Sequence, residues 1–275
     1  MPKRPTDDID TVLQRLRRHL EVLKLTHTLA ELDQYLAWAT REGPSPSSLL
    51  ERVLGEEAGR RSENRIERRI ANSGLAERKT LEAFEFPFQP KLDKSVILEI
   101  GRLEFVRRAE DLVITGKSGT GKSHILQAVA LEACRQQYAV RYTRCVDLID
   151  DLYASLADGT YAARLKRWAT PQLLVIDDVG LGHLKKRDDE PTAAHMLFNL
   201  LDRRHGKSST AMTSNIKLGS WGQYLGDPTL AAAVLDRVAM RAIRIDIDGP
   251  SYRQRIARER AQERGTKPPE DTPEA

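Results

Sequence analysis

Cysteine is scarce: the 275 residues contain two, Cys134 and Cys145. They fall on a predicted helix and a predicted strand, where small buried thiols are expected; a disulfide framework is excluded, and no zinc-ligand constellation accompanies them. Long apolar runs are missing too. None approaches the ~20 residues that a helix needs to cross a bilayer, and 31% of the chain is charged, so a soluble protein without membrane contact is expected. The stretch Met1-Pro2-Lys3-Arg4-Pro5-Thr6-Asp7-Asp8 lacks the apolar core of a signal peptide and carries acids early, which points to the cytoplasm. A strong charge imbalance is also absent. With a net charge of only +4, total charge makes no case for a nucleic-acid partner, and any such case depends on where the arginines cluster.

What is present is a phosphate-binding pattern. Gly116-Lys117-Ser118-Gly119-Thr120-Gly121-Lys122-Ser123 has a glycine, four residues, then glycine, lysine and serine, and with the adjoining His124 it forms the candidate nucleotide-binding segment. The glycines let backbone N–H groups turn inward and approach phosphate oxygens closely. Lys122 can reach the β- and γ-phosphates, and Ser123 can offer its hydroxyl to magnesium at the start of the next helix, whose positive dipole end also faces the anion. Both flanks agree with this reading. Asp111-Leu112-Val113-Ile114-Thr115 suits a buried strand, and Ile125, Leu126, Val129 and Ala133 recur at helical spacing.

The rest of the chain divides by pattern. Residues 1–74 read as a helical domain, with Ile9, Val12, Leu13, Leu16 and Leu20 on one stripe and Leu29, Leu32, Leu36 and Trp38 near the next. Gly43-Pro44-Ser45-Pro46 breaks the pattern. A third helix begins near Ser47 and Ser48, the candidate caps, and runs to Ser73-Gly74. Residues 75–90, with Phe84, Phe86 and Phe88 in alternation, read as an extended linker arm anchored by its aromatic rings onto the next domain. From 91 to 262 helices and strands alternate: a helix around Val96 to Arg107, the phosphate-loop strand and helix, a strand from Val140 to Cys145, and helices over Asp147 to Leu156 and Tyr161 to Trp168. Residues 263–275 have no core-forming content and are expected to be disordered.

A second motif lies at Leu173-Leu174-Val175-Ile176-Asp177-Asp178, an aliphatic run ending in two acids. That is expected of a buried parallel strand whose carboxyl end reaches the nucleotide site. Asp177 is the candidate to hold magnesium, through a water, and Asp178 the group that orients or deprotonates the attacking water. Thr210-Ala211-Met212-Thr213-Ser214-Asn215 reads as a strand with a polar end, and Asn215 is the candidate sensor of the γ-phosphate. Arg237, on a predicted helix containing Leu235-Asp236-Arg237, could point toward a neighbouring subunit's γ-phosphate, in preference to Arg241.

Taken in order, the phosphate loop, Ile-Asp-Asp, Thr-Ser-Asn, Leu-Asp-Arg and Gly249-Pro250-Ser251-Tyr252-Arg253 resemble the IstB-like ATP-binding proteins. These are transposition helper ATPases encoded beside the integrase-type transposase of some bacterial insertion sequences. The likeness spans nearly the whole chain, including the arginine-rich third helix, Lys79-Thr80-Leu81-Glu82-Ala83-Phe84, and the segment from Glu104 to Asp111. It implies an α/β AAA+ P-loop NTPase domain with a central parallel sheet, of the initiator and helicase-loader clade, preceded by a small all-α N-terminal domain. It further implies ATP and magnesium as cofactors and a homo-oligomer on double-stranded DNA, which bends the target and recruits or stimulates the transposase. By position, Lys122 and Ser123 would contact phosphate and magnesium, Asp177 and Asp178 would be the acidic pair, Asn215 the sensor, and Arg237 the finger acting in trans. Many relatives in the wider superfamily have glutamate where Asp178 stands. The shorter acid points to slow hydrolysis, with ATP acting mainly as an assembly switch, and stimulation by DNA is expected from the resemblance.

For DNA, Arg60, Arg61, Arg65, Arg68 and Arg69 cluster on the third helix, offset by Glu63 and Glu67. Such a run is either a solvated helix laced with ion pairs or a phosphate-binding face, and the family likeness favours DNA. Arg164, Lys166 and Arg167 fall where the clade has an extra helix; Lys185-Lys186-Arg187 is a weaker candidate. Phosphate contacts of this kind would be insensitive to base sequence and steeply salt-dependent. A helicase loader of the DnaC type, a DNA-organising protein that binds ATP without significant hydrolysis, and a small-molecule kinase are the alternatives.

Overall fold

The structure is a computed structural model that describes residues 9–181 and 191–263. Lys185-Lys186-Arg187, and all of the expected tail beyond Glu263, lie outside the described residues. The chain separates into two compact units, Met1–Arg68 and Arg69–Ala275. Among the described residues no helix is long and apolar enough to cross a membrane.

The first unit is helical. It contains α1 (Ile9–Val22), α2 (Thr26–Ala30), α3 (Leu32–Glu42) and most of α4 (Pro46–Ser73). Leu20, Leu32 and Tyr35 are buried, and so is the carboxylate of Glu57. Burial of that charge is compensated by three donors: the Thr28 N–H at 2.8 Å, the Thr28 hydroxyl at 3.1 Å and Arg61 Nε at 2.9 Å. The cap of α4 is Ser45, whose hydroxyl accepts from the Ser48 N–H; the expected caps, Ser47 and Ser48, lie inside the first turn. Pro46 suits the first helical position, because it has no N–H to leave unpaired.

In the second unit α4 ends at Ser73, and Gly74 follows in the left-handed region. Next come α5 (Lys94–Gly101), α6 (Glu104–Arg107), β1 (Asp111–Gly116), α7 (Lys122–Arg135), β2 (Val140–Arg144), α8 (Cys145–Ala157), α9 (Tyr161–Ala169) and β3 (Leu173–Val179). The unit closes with α10 (Ala193–Arg204), β4 (Ser209–Ser214), α11 (Trp221–Leu225), α12 (Pro228–Ala239), β5 (Ala242–Ile247) and α13 (Tyr252–Glu263). The five strands form one parallel sheet in the order β2-β3-β4-β1-β5. Leu112, Ile114, Leu174 and Ile176 are fully buried, as the strands of a parallel sheet covered on both faces must be. Because β4 lies between β1 and β3, its carboxyl end separates the phosphate loop from the two acids, and all three converge at one edge of the sheet.

Three expectations need correction. The helix expected from Val96 to Arg107 is broken at Leu103, whose φ is +64°; the turn lets both Leu103 and Phe105 reach the core. Cys145 opens α8 instead of ending β2. The arm is not extended throughout, since Phe86–Phe88 form a 3-10 turn, while Phe84 is buried edge-on against His124 with ring centroids 5.3 Å apart.

Candidate nucleotide-binding site

The loop between β1 and α7 is shaped by close approach. Gly119 and Gly121 have φ of +80° and +98°, and a Cβ at these positions would lie 2.1 Å from Ser251 Oγ and 2.5 Å from the Phe84 ring, respectively. Gly121 therefore excludes a side chain on steric as well as conformational grounds, while at Gly119, where the Ser251 hydroxyl could turn aside, the left-handed φ is the main constraint. Lys122 is only 4% exposed. Its ammonium donates to the carbonyls of Gly116 and Lys117, each at 2.7 Å. Burial lowers its pKa to about 8, against the opposing pull of Asp178 and Asp177. A phosphate here would supply the negative charge that a buried ammonium lacks.

The acids do not simply end β3, because the strand continues to Val179. Ile176 pairs with Met212 and Val179 with Ser214, so Asp177 and Asp178 together face Thr213 alone. This is a bulge, with Asp178 at φ +59°; in a regular strand consecutive side chains would point to opposite faces. Asp177 Oδ1 accepts from Ser123 Oγ at 3.0 Å, from the Asp178 N–H at 3.1 Å and from the Thr213 hydroxyl. Its Oδ2 accepts from the Tyr142 hydroxyl. Asp178 accepts from Asn215 Nδ2 at 3.4 Å. Burial, reinforced by Asp177, raises the pKa of Asp178 from its ordinary value.

A cleft of ≈ 450 Å³ runs from Asp178 and Asn215, along residues 118–124, to Phe84, Phe88 and Gln89. That volume is within the range of small-molecule and cofactor sites. The far rim is held by Glu85, which accepts from Tyr252 at 2.6 Å and Arg255 at 2.8 Å, and by Gln89 Nε2, which donates to Pro250 O at 2.9 Å. The Oε1 atoms of Gln89 and Gln127 are buried without a partner, and both residues line the cleft. Hard oxygens meet where Ser123 approaches Asp177, a donor set that suits magnesium when a phosphate completes the shell. The residues thus fit a metal-bound triphosphate.

The structure brings Lys122, Ser123, Asp177, Asp178 and Asn215 together. Arg237 is elsewhere: on α12, with Nε 3.2 Å from Asp202, and it does not line the cleft. Arg253, left without a role in the sequence reading, does line it and acts electrostatically on both Lys122 and Asp178. Thr213 and Tyr142 were also overlooked. The polar end of β4 was the available signal for Thr213; nothing in the local pattern marks Tyr142.

Of the arginines proposed for DNA, Arg61 is engaged inside the first unit by Glu57 and by the carbonyls of Leu23 and Lys24. Arg65 and Arg68 are exposed on α4, and Arg69 is half-buried in the second unit. Arg164 is paired with Asp151, while Lys166 and Arg167 are exposed on α9.

The sheet order, a glycine-rich loop leading from β1 into α7, the acidic pair on β3 and the polar end of β4 define a P-loop NTPase of the AAA+ class. Solved structures agree on the fold. The replication initiator DnaA bound to AMPPCP and single-stranded DNA matches with a TM-score of 0.50 at 21% identity, covering 72% of this chain and 58% of that one. AMPPCP-bound DnaA from Aquifex aeolicus gives 0.51 at 23%, covering 72% and 59%. The present chain thus spans less than two thirds of either DnaA chain. Within the class, the chain belongs to the IstB-like ATP binding proteins, whose family pattern matches residues 18–260. It is 32% identical over 240 residues to a Bacillus thuringiensis protein named for ATP binding in insertion sequence IS232, covering 87% of this chain and 94% of the relative. A Geobacillus stearothermophilus counterpart from IS5376 is 31% identical over 245 residues, covering 89% and 96%.

Proposed function

We propose that this protein is an ATP-dependent, DNA-binding regulator of transposition, which oligomerises on double-stranded DNA, bends it, and recruits or stimulates an integrase-type transposase. The observation that carries the reading is the convergence of Lys122, Ser123, Asp178 and Asn215 on one cleft, with Asp177 bonded to Ser123 behind it, in a chain whose family is named for ATP binding and whose relatives belong to insertion sequences. The loop N–H groups and Lys122 bind the triphosphate, and Ser123 with Asp177 holds magnesium, which supplies charge neutralisation at the phosphates. Asp178, steadied by Asn215, orients the attacking water. Arg253 is well placed to meet the triphosphate from its own subunit, and Arg237 would act on a neighbour's site once its link to Asp202 is given up.

Residues 1–74 form the DNA-binding and oligomer-contacting part in this reading, 75–90 the arm and 91–262 the ATPase domain, with α9 adding Lys166 and Arg167 to the DNA surface. The test is sizing by light scattering with ATP, with ADP, and with ATP plus duplex DNA. A large species is expected with ATP and DNA, and Lys122→Ala should abolish it. Assembly that survives in Lys122→Ala, or a wild-type chain that stays monomeric under every condition, overturns the proposal.

A further inference from the structure

The acidic pair is gripped from both sides of its strand. In the sheet β3 lies between β2 and β4, and each neighbour sends one hydroxyl to Asp177: Tyr142 from β2 to Oδ2, and Thr213 from β4 to Oδ1. A carboxylate has about four lone-pair sites. Among the described residues Tyr142, Thr213, the Asp178 N–H and Ser123 are four donors that fill these sites, so Asp177 would serve magnesium through a water or in exchange for its bond to Ser123. Of these, only the two strand hydroxyls are side chains with no place in the phosphate loop.

Their partners differ. The Tyr142 hydroxyl accepts from Gln127 Nε2 at 3.4 Å, so the phenol is oriented from α7, the helix that carries Ser123. The buried Thr213 hydroxyl accepts from the Asp178 N–H at 2.9 Å while donating to Asp177. Thr213 thus links the Asp177 carboxylate to the Asp178 backbone N–H, and it faces the bulge that lets the two acids share one end of the sheet. A left-handed φ at a non-glycine residue such as Asp178 persists only where its surroundings hold it.

We propose that Tyr142 and Thr213 are positioning residues of the magnesium centre: Tyr142 fixes the rotation of Asp177, and Thr213 sets the spacing of Asp177 and Asp178 through the bulge. The inference rests on the reading of the cleft as a magnesium-ATP site. Groups that hydrogen-bond a ligating carboxylate typically contribute ~10–100-fold in metal affinity or activity.

The experiment measures, with the full chain, the magnesium concentration that gives half-maximal tight binding of a non-hydrolysable ATP analogue, with Asp177→Asn as the reference variant. Tyr142→Phe and Thr213→Val should each raise that midpoint about tenfold and leave metal-free nucleotide affinity unchanged. Thr213→Ser, which retains the hydroxyl, should return it to the wild-type value. Thr213→Val should also lower kcat with little change in KM, because Asp178 is displaced while the phosphate loop is not. Tyr142→Phe removes one oxygen and no packing volume, so it provides a folded variant even if Thr213→Val is unstable. Wild-type midpoints in Tyr142→Phe and Thr213→Val, alongside a raised midpoint in Asp177→Asn, overturn the positioning role alone. An unchanged midpoint in Asp177→Asn, or no analogue binding by the wild type, overturns the magnesium-ATP reading and this inference with it.

Discussion

Lys122 should make the triphosphate affinity of this protein a function of pH. In the free cleft burial depresses its pKa to about 8 from an ordinary 10.5, so between those two values the ammonium has lost a charge that an exposed lysine would keep. A bound triphosphate favours the charged form and draws the proton back. Binding above pH 8 therefore takes up a proton, and affinity must fall as pH rises, by up to tenfold per unit. Over the whole interval the loss approaches a few hundredfold, or about 3 kcal/mol at ~1.4 kcal/mol per pH unit. Below pH 8 the lysine is charged with or without ligand, and its contribution is level. The assay is equilibrium binding of a fluorescent ATP analogue with magnesium from pH 7 to 9.5. Burial and Asp177 push the Tyr142 phenol far above this window, so it does not add to the slope. Lys122→Arg, whose guanidinium stays charged throughout, should bind with a level profile whatever its absolute affinity. A wild-type profile that is level through pH 9.5, or an equal slope in Lys122→Arg, would refute the reasoning.

Two further outcomes test other parts of the molecule. Arg237→Ala should leave nucleotide affinity within about twofold, since the side chain lies off the cleft beside Asp202, but should cut turnover by ~10³-fold if the arginine acts across subunits; normal turnover in an assembled mutant removes it from that role. Arg204 is 1% exposed and donates to Thr210 Oγ1 and to the carbonyls of Ala169, Pro171 and Ser209. Arg204→Met strands these acceptors and should cost about 3–5 kcal/mol in urea unfolding; a loss below about 1 kcal/mol would show that the pocket readily finds other donors.

Local chemistry was legible in the residues themselves. The phosphate loop is a contiguous pattern whose backbone demands are met within eight residues, and the aliphatic run into Asp177-Asp178 announces a buried strand without reference to anything distant. The alternation of strand and helix patterns marks an α/β domain, whereas the number of strands and their order came only with the fold. Helical periodicity, by contrast, could not foresee the break at Leu103, because the turn serves contacts made with the core and not the register of the helix itself. Nor could the alternating phenylalanines disclose that Phe86–Phe88 turn, since Phe84 is held edge-on by His124, forty residues farther along the chain.

What the amino-acid order determined alone was therefore the kind of chemistry: a loop made for phosphate, acids suited to a metal and a water, and the family to which the chain belongs. Tertiary structure decided which side chains serve the acids. Tyr142, Thr213 and Arg253 come from β2, β4 and α13, and the strand order, the bulge opposite Thr213 and the approach of α13 to the loop bring them to Asp177, Asp178 and Lys122. Hydrogen bonds and electrostatic forces act through space over a few ångströms, and no spacing along the chain encodes that proximity until the sheet has closed.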